Sequence, residues 1–352
     1  MKRKAAALLG LAATAVATAI GERIPRTRER LAAVAPDLRG PALLWLPFNL
    51  RSRTVLRLLR LAPHPATPLV PGVTVRRRYA SNGAEASGPA VGIHVYEPAA
   101  RTRTSGALLW LHGGGYIMGS SASDNTLCSR IAAELGILVV SVDYRLAPEH
   151  PFPSGLDDAV TALRWLHGNA GELGIDPRRI AVGGESAGGG LAAALAQRAH
   201  DEGDLAPCFQ LLVYPMLDDR TALDAAREPT FVWTPASNRF GWTCYLGHPL
   251  ATGEMRPYAV PARRPDLGGL APAWIGVGDL DLFHDEDVAY AGRLGEAGVP
   301  CVLEVVPGMY HGALSLVPAA PAVTAFRASA IRALGAAVNP GNDQPVTADH
   351  QL

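Results

Sequence analysis

The chain has 352 residues, 48% of them hydrophobic and 18% charged, with a formal net charge of zero. That length accommodates one large α/β domain or two ordinary ones. The composition excludes a chain that is disordered throughout, and the balanced charge gives no global field for a nucleic-acid partner.

The first stretch, MKRKAAALLGLAATAVATAIG, has a basic start, an apolar run and an Ala17-Thr18-Ala19 triplet of the kind that precedes cleavage. Arg23, Arg26, Arg28 and Arg30 follow at once and oppose translocation. Residues 1–21 are therefore read as a signal-like or frayed segment. A cytoplasmic protein is expected, with export or membrane association through residues 1–21 as the alternative. Residues 1–78 carry 15 Lys or Arg against 3 acids, so the remainder is acidic by the same margin. Such a basic end is either a solvated arginine face or a contact with a membrane or lipid surface. Residues 22–75 read as helical and broken by prolines. Within them NLRSRTVLRLLRL, residues 49–61, sets Arg53, Arg57 and Arg60 at helical spacing. That helix either lies on lipid or covers an apolar groove of the protein itself.

From residue 76 short β-rich runs alternate with helical patterns. The runs are VGIHVYEP, GALLWLHGG, GILVVSVDYR, RIAVGGESAGG, CFQLLVYP, PAWIGVGDLD and CVLEVVPG. Alternating strands and helices predict an α/β fold, a mostly parallel sheet flanked by helices. Continuous apolar strands predict burial on both faces. The alternation breaks between about 216 and 262, an aromatic-rich insertion in the 76–337 domain. Residues 338–352 are polar and read as a disordered tail. Cys128, Cys208, Cys244 and Cys301 lie far apart, which argues against a zinc site and for free thiols. Cys208 and Cys301 are expected in the core.

Two glycine-rich stretches follow predicted strands. Gly184-Glu185-Ser186-Ala187-Gly188 matches G-x-S-x-G, a weak signal alone. Its setting between strand RIAVGG and a helix is what a nucleophile elbow needs. A serine hydroxyl needs a base to take its proton. Of the histidines downstream (His200, His248, His284, His311 and His350), His311 sits just past the last predicted strand, where a loop returns over the sheet edge. The acid comes from GDLDLFHDED, where Asp281 is preferred, Asp279 is the alternative, and Asp285, Glu286 and Asp287 open a helix. The acid cluster lacks the spacing of a calcium loop. Upstream, WLHGGGYIMGS supplies backbone N–H groups free of side chains. An acyl-transfer oxyanion needs such donors. Gly113, Gly114 and Ala187 are the candidates; His112 is read as a brace for the loop and Gly115 as its turn.

Together these residues resemble the hormone-sensitive-lipase-like family of α/β-hydrolases, chiefly its bacterial carboxylesterases. The likeness runs from about Val75 to Ala336 through LHGGGY, DYRLAPEHPFP, GGESAGG, YLG followed by YAVPARRPDL, GDLDLFHDEDVAYAGRL and PGMYHG. The resemblance implies an α/β-hydrolase fold with a helical cap made of residues 22–75 and roughly 216–262. It implies Ser186 as nucleophile, His311 as base and Asp281 as acid, with Gly113, Gly114 and Ala187 as the oxyanion hole. Glu185 stands where Asp or Thr is usual, and Gly312-Ala313 lacks an aromatic often found there. The expected activity is hydrolysis of short- to medium-chain acyl esters, with no metal and no cofactor. An amidase or deacetylase with the same triad and a non-catalytic ligand-binding homologue are the alternatives. The expected partner is a small ester, with no nucleic acid; a homodimer is a further candidate. Trp233, Phe240, Trp242 and Tyr245 are candidates for the pocket wall or for core packing.

Overall fold

The computed structural model describes residues 30–40, 43, 49–61, 66–81, 89–102, 104–224, 230–250 and 253–339. The signal-like segment 1–21 lies outside the described residues, as does nearly all of the tail. Eight strands form one sheet: β1 Val73–Ala80, β2 Val91–Pro98, β3 Ser105–Leu111, β4 Leu138–Asp143, β5 Ile175–Glu185, β6 Gln210–Val213, β7 Ala273–Gly278 and β8 Cys301–Val306. The order is β1-β2-β4-β3-β5-β6-β7-β8. The pairs β1/β2 and β2/β4 are antiparallel and all later pairs are parallel. The longer helices are α1 Arg53–Leu61, α2 Asn125–Leu135, α3 Ser154–Gly168, α4 Ala187–Glu202, α5 Pro235–Leu246, α6 His284–Glu296 and α7 Pro321–Val338.

The strand period of two divides the core between the faces. Leu109, Leu111, Val140, Val182, Leu212 and Ile275 join one apolar cluster. Leu108, Trp110, Val139, Ala181, Leu211 and Trp274 join the other. Every residue of β3 and β7 is buried, which is why those runs lack polar alternation.

The two edges differ from expectation. β1 is not among the seven expected runs. Its triplet Arg76-Arg77-Arg78 belongs to an antiparallel edge strand that starts three residues before the expected boundary at 76. At the other edge β8 is not buried on both faces. Val302, Leu303 and Val305 are 56%, 37% and 37% exposed. Cys301 and Cys208 are only partly buried, whereas Cys128 and Cys244 are fully so; all four are free. Burial requires cover on both faces, and Cys301 stands on the edge strand β8, which has less of it, while Cys208 lies just before β6 begins.

Helix α1 covers the protein through one side and leaves another open. Leu56 is buried, while Leu58 and Leu61 are exposed. Arg60 is no freely solvated charge. Its guanidinium donates to Ile117 O at 2.8 Å and Ala147 O at 2.5 Å, and pairs with Glu149 at 2.7 Å. Among the described residues no helix is long and apolar enough to cross a membrane.

Candidate active site

Strand β5 runs straight into α4, and Ser186 occupies the joint with φ 54° and ψ −121°. This is a left-handed setting that disfavours residues with a side chain. Neighbouring glycines make the bend fit. A Cβ on Gly188 would lie 2.0 Å from Leu111 O, and one on Gly184 would lie 2.4 Å from the Gly188 backbone. Ser186 N donates to Val213 O, and Ser186 O accepts from Gly190 N and Met216 N. The serine is thus fixed by backbone bonds from both sides.

His311 arrives on the loop after β8. Ser186 Oγ and His311 Nε2 are 2.9 Å apart, and His311 Nδ1 is 2.8 Å from Asp281 Oδ2. The carboxylate accepts, so Nδ1 carries the ring proton and Nε2 is left to accept from the serine. Asp281 Oδ1 also accepts from Phe283 N at 2.9 Å. All three residues are buried, at 4–6% exposure. Tyr214 and Phe283 stand edge-on to the imidazole at 4.8 and 5.1 Å. Asp279 does not reach the ring. Its Oδ1 accepts from Gly308 N at 2.7 Å and so anchors the loop that carries His311.

The glycine-rich loop lies against the elbow. Gly114 has φ +121° and Gly115 φ +61°. Gly114 O accepts from Ile117 N and Met118 N, closing a turn. Among the described residues no acceptor takes up the N–H of Gly113, Gly114 or Ala187. His112 braces this loop, as expected. It stacks on Tyr144 at 4.2 Å, and its Nδ1 donates to Gly113 O at 2.8 Å. Burial pushes His112 down to about 4, so it stays neutral.

The aromatic candidates separate. Trp233 packs on Gly115, where a Cβ would meet its ring at 2.2 Å. Trp242 and Tyr245 are core residues around Tyr116, with Tyr245 stacked on it at 4.0 Å. Phe240 is partly buried and lines a separate surface cavity with Arg51 and Arg239. Sequence reasoning misses Tyr214 and Phe283. A signal for them exists, since Tyr214 directly follows a strand end and Phe283 lies two residues after the acid, where side chains meet a site. It also misses that Glu286 and Asp287 are buried, because first-turn acids ordinarily face water. Glu286 accepts from Leu217 N and Asp218 N.

A buried serine hydrogen-bonded to an imidazole nitrogen that is oriented by a carboxylate can deliver an alkoxide-like nucleophile. Free N–H groups in the adjoining loop can receive the charge that then develops.

Comparison with known proteins points to the α/β hydrolases and to ester hydrolysis. The sequence profile described as alpha/beta hydrolase fold matches residues 108–315. Carboxylesterase NlhH of Mycobacterium tuberculosis is 38% identical over 248 residues, covering 68% of this chain and 77% of the relative. An ethyl acetate hydrolase of Pseudomonas putida is 41% identical over 217 residues, covering 58% and 65%. Among solved structures, a bacterial heroin esterase superposes with a TM-score of 0.79 at 36% identity, covering 88% of this chain and 99% of that one.

Proposed function

The chain belongs to the α/β hydrolase family as a carboxylic-ester hydrolase, and from that premise we propose that Ser186, His311 and Asp281 carry its reaction. Ser186 Oγ attacks the ester carbonyl while His311 Nε2 accepts the hydroxyl proton. The new C–O bond makes a tetrahedral oxyanion, which rests on the N–H groups of Gly113, Gly114 and Ala187. Asp281 fixes the tautomer and stabilises the imidazolium. His311 then protonates the departing alcohol, leaving the acyl group on Ser186. Water, deprotonated by the same imidazole, releases the acid. The observation that carries this reading is the continuous relay of 2.9 and 2.8 Å from serine to histidine to carboxylate.

The substrates are short- to medium-chain acyl esters. The relative named for ethyl acetate supports the short end of that range. The described parts of residues 22–72 and 216–262 act as a cap, since Val73–Val75 belong to β1. Support comes from contacts between the two segments: Leu50 N donates to Ser237 Oγ at 2.9 Å and Thr234 Oγ1 to Asn49 Oδ1 at 2.7 Å. Trp233 ties the insertion to the glycine loop.

The test is hydrolysis of p-nitrophenyl esters of increasing acyl length by the wild type and by Ser186→Ala. The variant should fold normally and lose about four orders of magnitude or more in kcat. Equal activity in both proteins rejects the assignment, and a maximum at long acyl chains rejects the substrate class.

A further inference from the structure

The residue before the nucleophile is Glu185, an acid at the end of a buried strand. Its side chain contributes to a cavity of about 370 Å³ that is also lined by Asp124, Arg130, Leu314 and Arg327. Three contacts connect it to the site. Its Oε2 accepts from the Tyr214 hydroxyl at 3.0 Å. The Tyr214 ring stands edge-on to His311 at 4.8 Å. Its Oε1 lies only 3.0 Å from where a Gly113 Cβ would be, so the carboxyl backs directly onto the glycine loop.

Asp124 shares the cavity and accepts from Trp110 Nε1 at 2.8 Å. Arg130 leans toward Glu134 at 3.6 Å, and Arg327 donates to Pro318 O, so neither guanidinium forms a salt bridge with the two carboxyls. Burial and a neighbouring carboxyl both disfavour the charged form of each acid. Burial and the neighbouring Glu185 hold Asp124 well above the usual range. Burial also raises Glu185, but the Tyr214 hydroxyl and His311 pull it back. Trp110 donates to Asp124 and Tyr214 to Glu185, and each bond opposes the rise that burial imposes.

We propose that Glu185 is a positioning residue for ester hydrolysis, a second anion that acts on His311 through Tyr214 while it backs the Gly113 loop. This rests on the reading of His311 as the base. The other titratable or charged groups around Glu185 are Asp124, Cys128 and Arg130 from the α2 side, Tyr144 and Tyr214 from beyond β4 and β6, and Arg327 from α7. Burial pushes the Cys128, Tyr144 and Tyr214 groups up, so they stay neutral through the working range. The arginines stay charged.

The experiment is the pH profile of kcat/KM for p-nitrophenyl acetate with the wild type, Glu185→Gln, Glu185→Asp and Asp124→Asn. In Glu185→Gln the imidazolium loses an anion, so the acid limb moves to lower pH by about half a unit. Its kcat falls by about threefold to tenfold with KM unchanged. Glu185→Asp restores the limb. Asp124→Asn leaves it in place, because Asp124 accepts from Trp110 while Glu185 accepts from Tyr214, the ring beside His311. If Glu185→Gln does not fold, Tyr214→Phe keeps the ring, removes the link, and should move the limb the same way by less. An acid limb that stays put in Glu185→Gln, or in Tyr214→Phe where that is the variant read, overturns the proposal whatever happens to the rate. A failure of the parent reading is seen separately, as activity that survives in Ser186→Ala.

Discussion

The loop from His112 to Gly119 and the segment from Asp279 to Asp287 both serve one site, yet the first works mainly by lacking side chains and the second offers five carboxyls. In the loop any added atom obstructs. A Cβ on Gly114 would lie 2.1 Å from Met118 O, and one on Gly119 would lie 2.5 Å from Gly113 O. In the acid segment the same chemical group meets five different fates. Asp279 holds the Gly308 turn, Asp281 orients His311, and Asp285 lies exposed beside His284. Glu286 caps the backbone at Leu217 and Asp218. Asp287 is fully buried, and neither oxygen finds a hydrogen-bond partner among the described residues. Backbone shape can be specified by residue type alone, whereas the role of a carboxyl depends on what the fold brings to it.

The largest expected effect separates two acids that sit two residues apart. Asp281→Asn should lower kcat by about 10⁴ through the wrong histidine tautomer. Asp279→Asn should cost less than about tenfold, since it loosens a turn and leaves the imidazole its partner. Steady-state kinetics on one p-nitrophenyl ester compare them, and equal losses would collapse the distinction. Next comes the glycine side. Gly114→Ala should cost about a hundredfold in kcat, because a Cβ at φ +121° displaces an oxyanion donor. Wild-type kcat in that variant would mean that the loop's N–H groups are not used.

The smallest effect concerns stability and tests whether a buried acid of the segment is structural. Burial pushes Glu286 up to about 8. The unfolded chain ionises it at about 4.3, so the folded state holds the extra proton between those values. Stability from this group is therefore full at low pH and falls as pH rises through that window, by about 1.4 kcal/mol per unit. Glu286→Gln retains an oxygen for Leu217 N and Asp218 N while removing the titration. Urea unfolding at pH 5.5 and pH 7.5 should show a smaller loss in the variant than in the wild type. An unchanged difference would place the pH sensitivity elsewhere.

The same contrast explains which features are legible in the amino-acid sequence. The elbow and the glycine loop are legible because their residues are consecutive and the shape is local. His311 is legible from chain order and its place after the last strand. Asp281 can be preferred over Asp279 but not separated from it, since the deciding contact comes from a histidine 30 residues on. Strand β1 is hidden by Arg76, Arg77 and Arg78, which look like a solvated run and are in fact an edge strand that charges protect from further pairing. Strand β8 misleads in the opposite sense. Its apolar run looks central, and nothing local tells an edge from a middle. The burial of Glu286 is hidden because its partners lie near residue 217.

Ser186 holds a backbone conformation that suits glycine, at a cost of about 1–3 kcal/mol that its proposed role as nucleophile justifies. On that proposal, serine at this position is kept for turnover at the expense of stability. A lineage released from selection for turnover would gain stability by replacing it with glycine, and the first trace of lost activity in a descendant is expected at this codon.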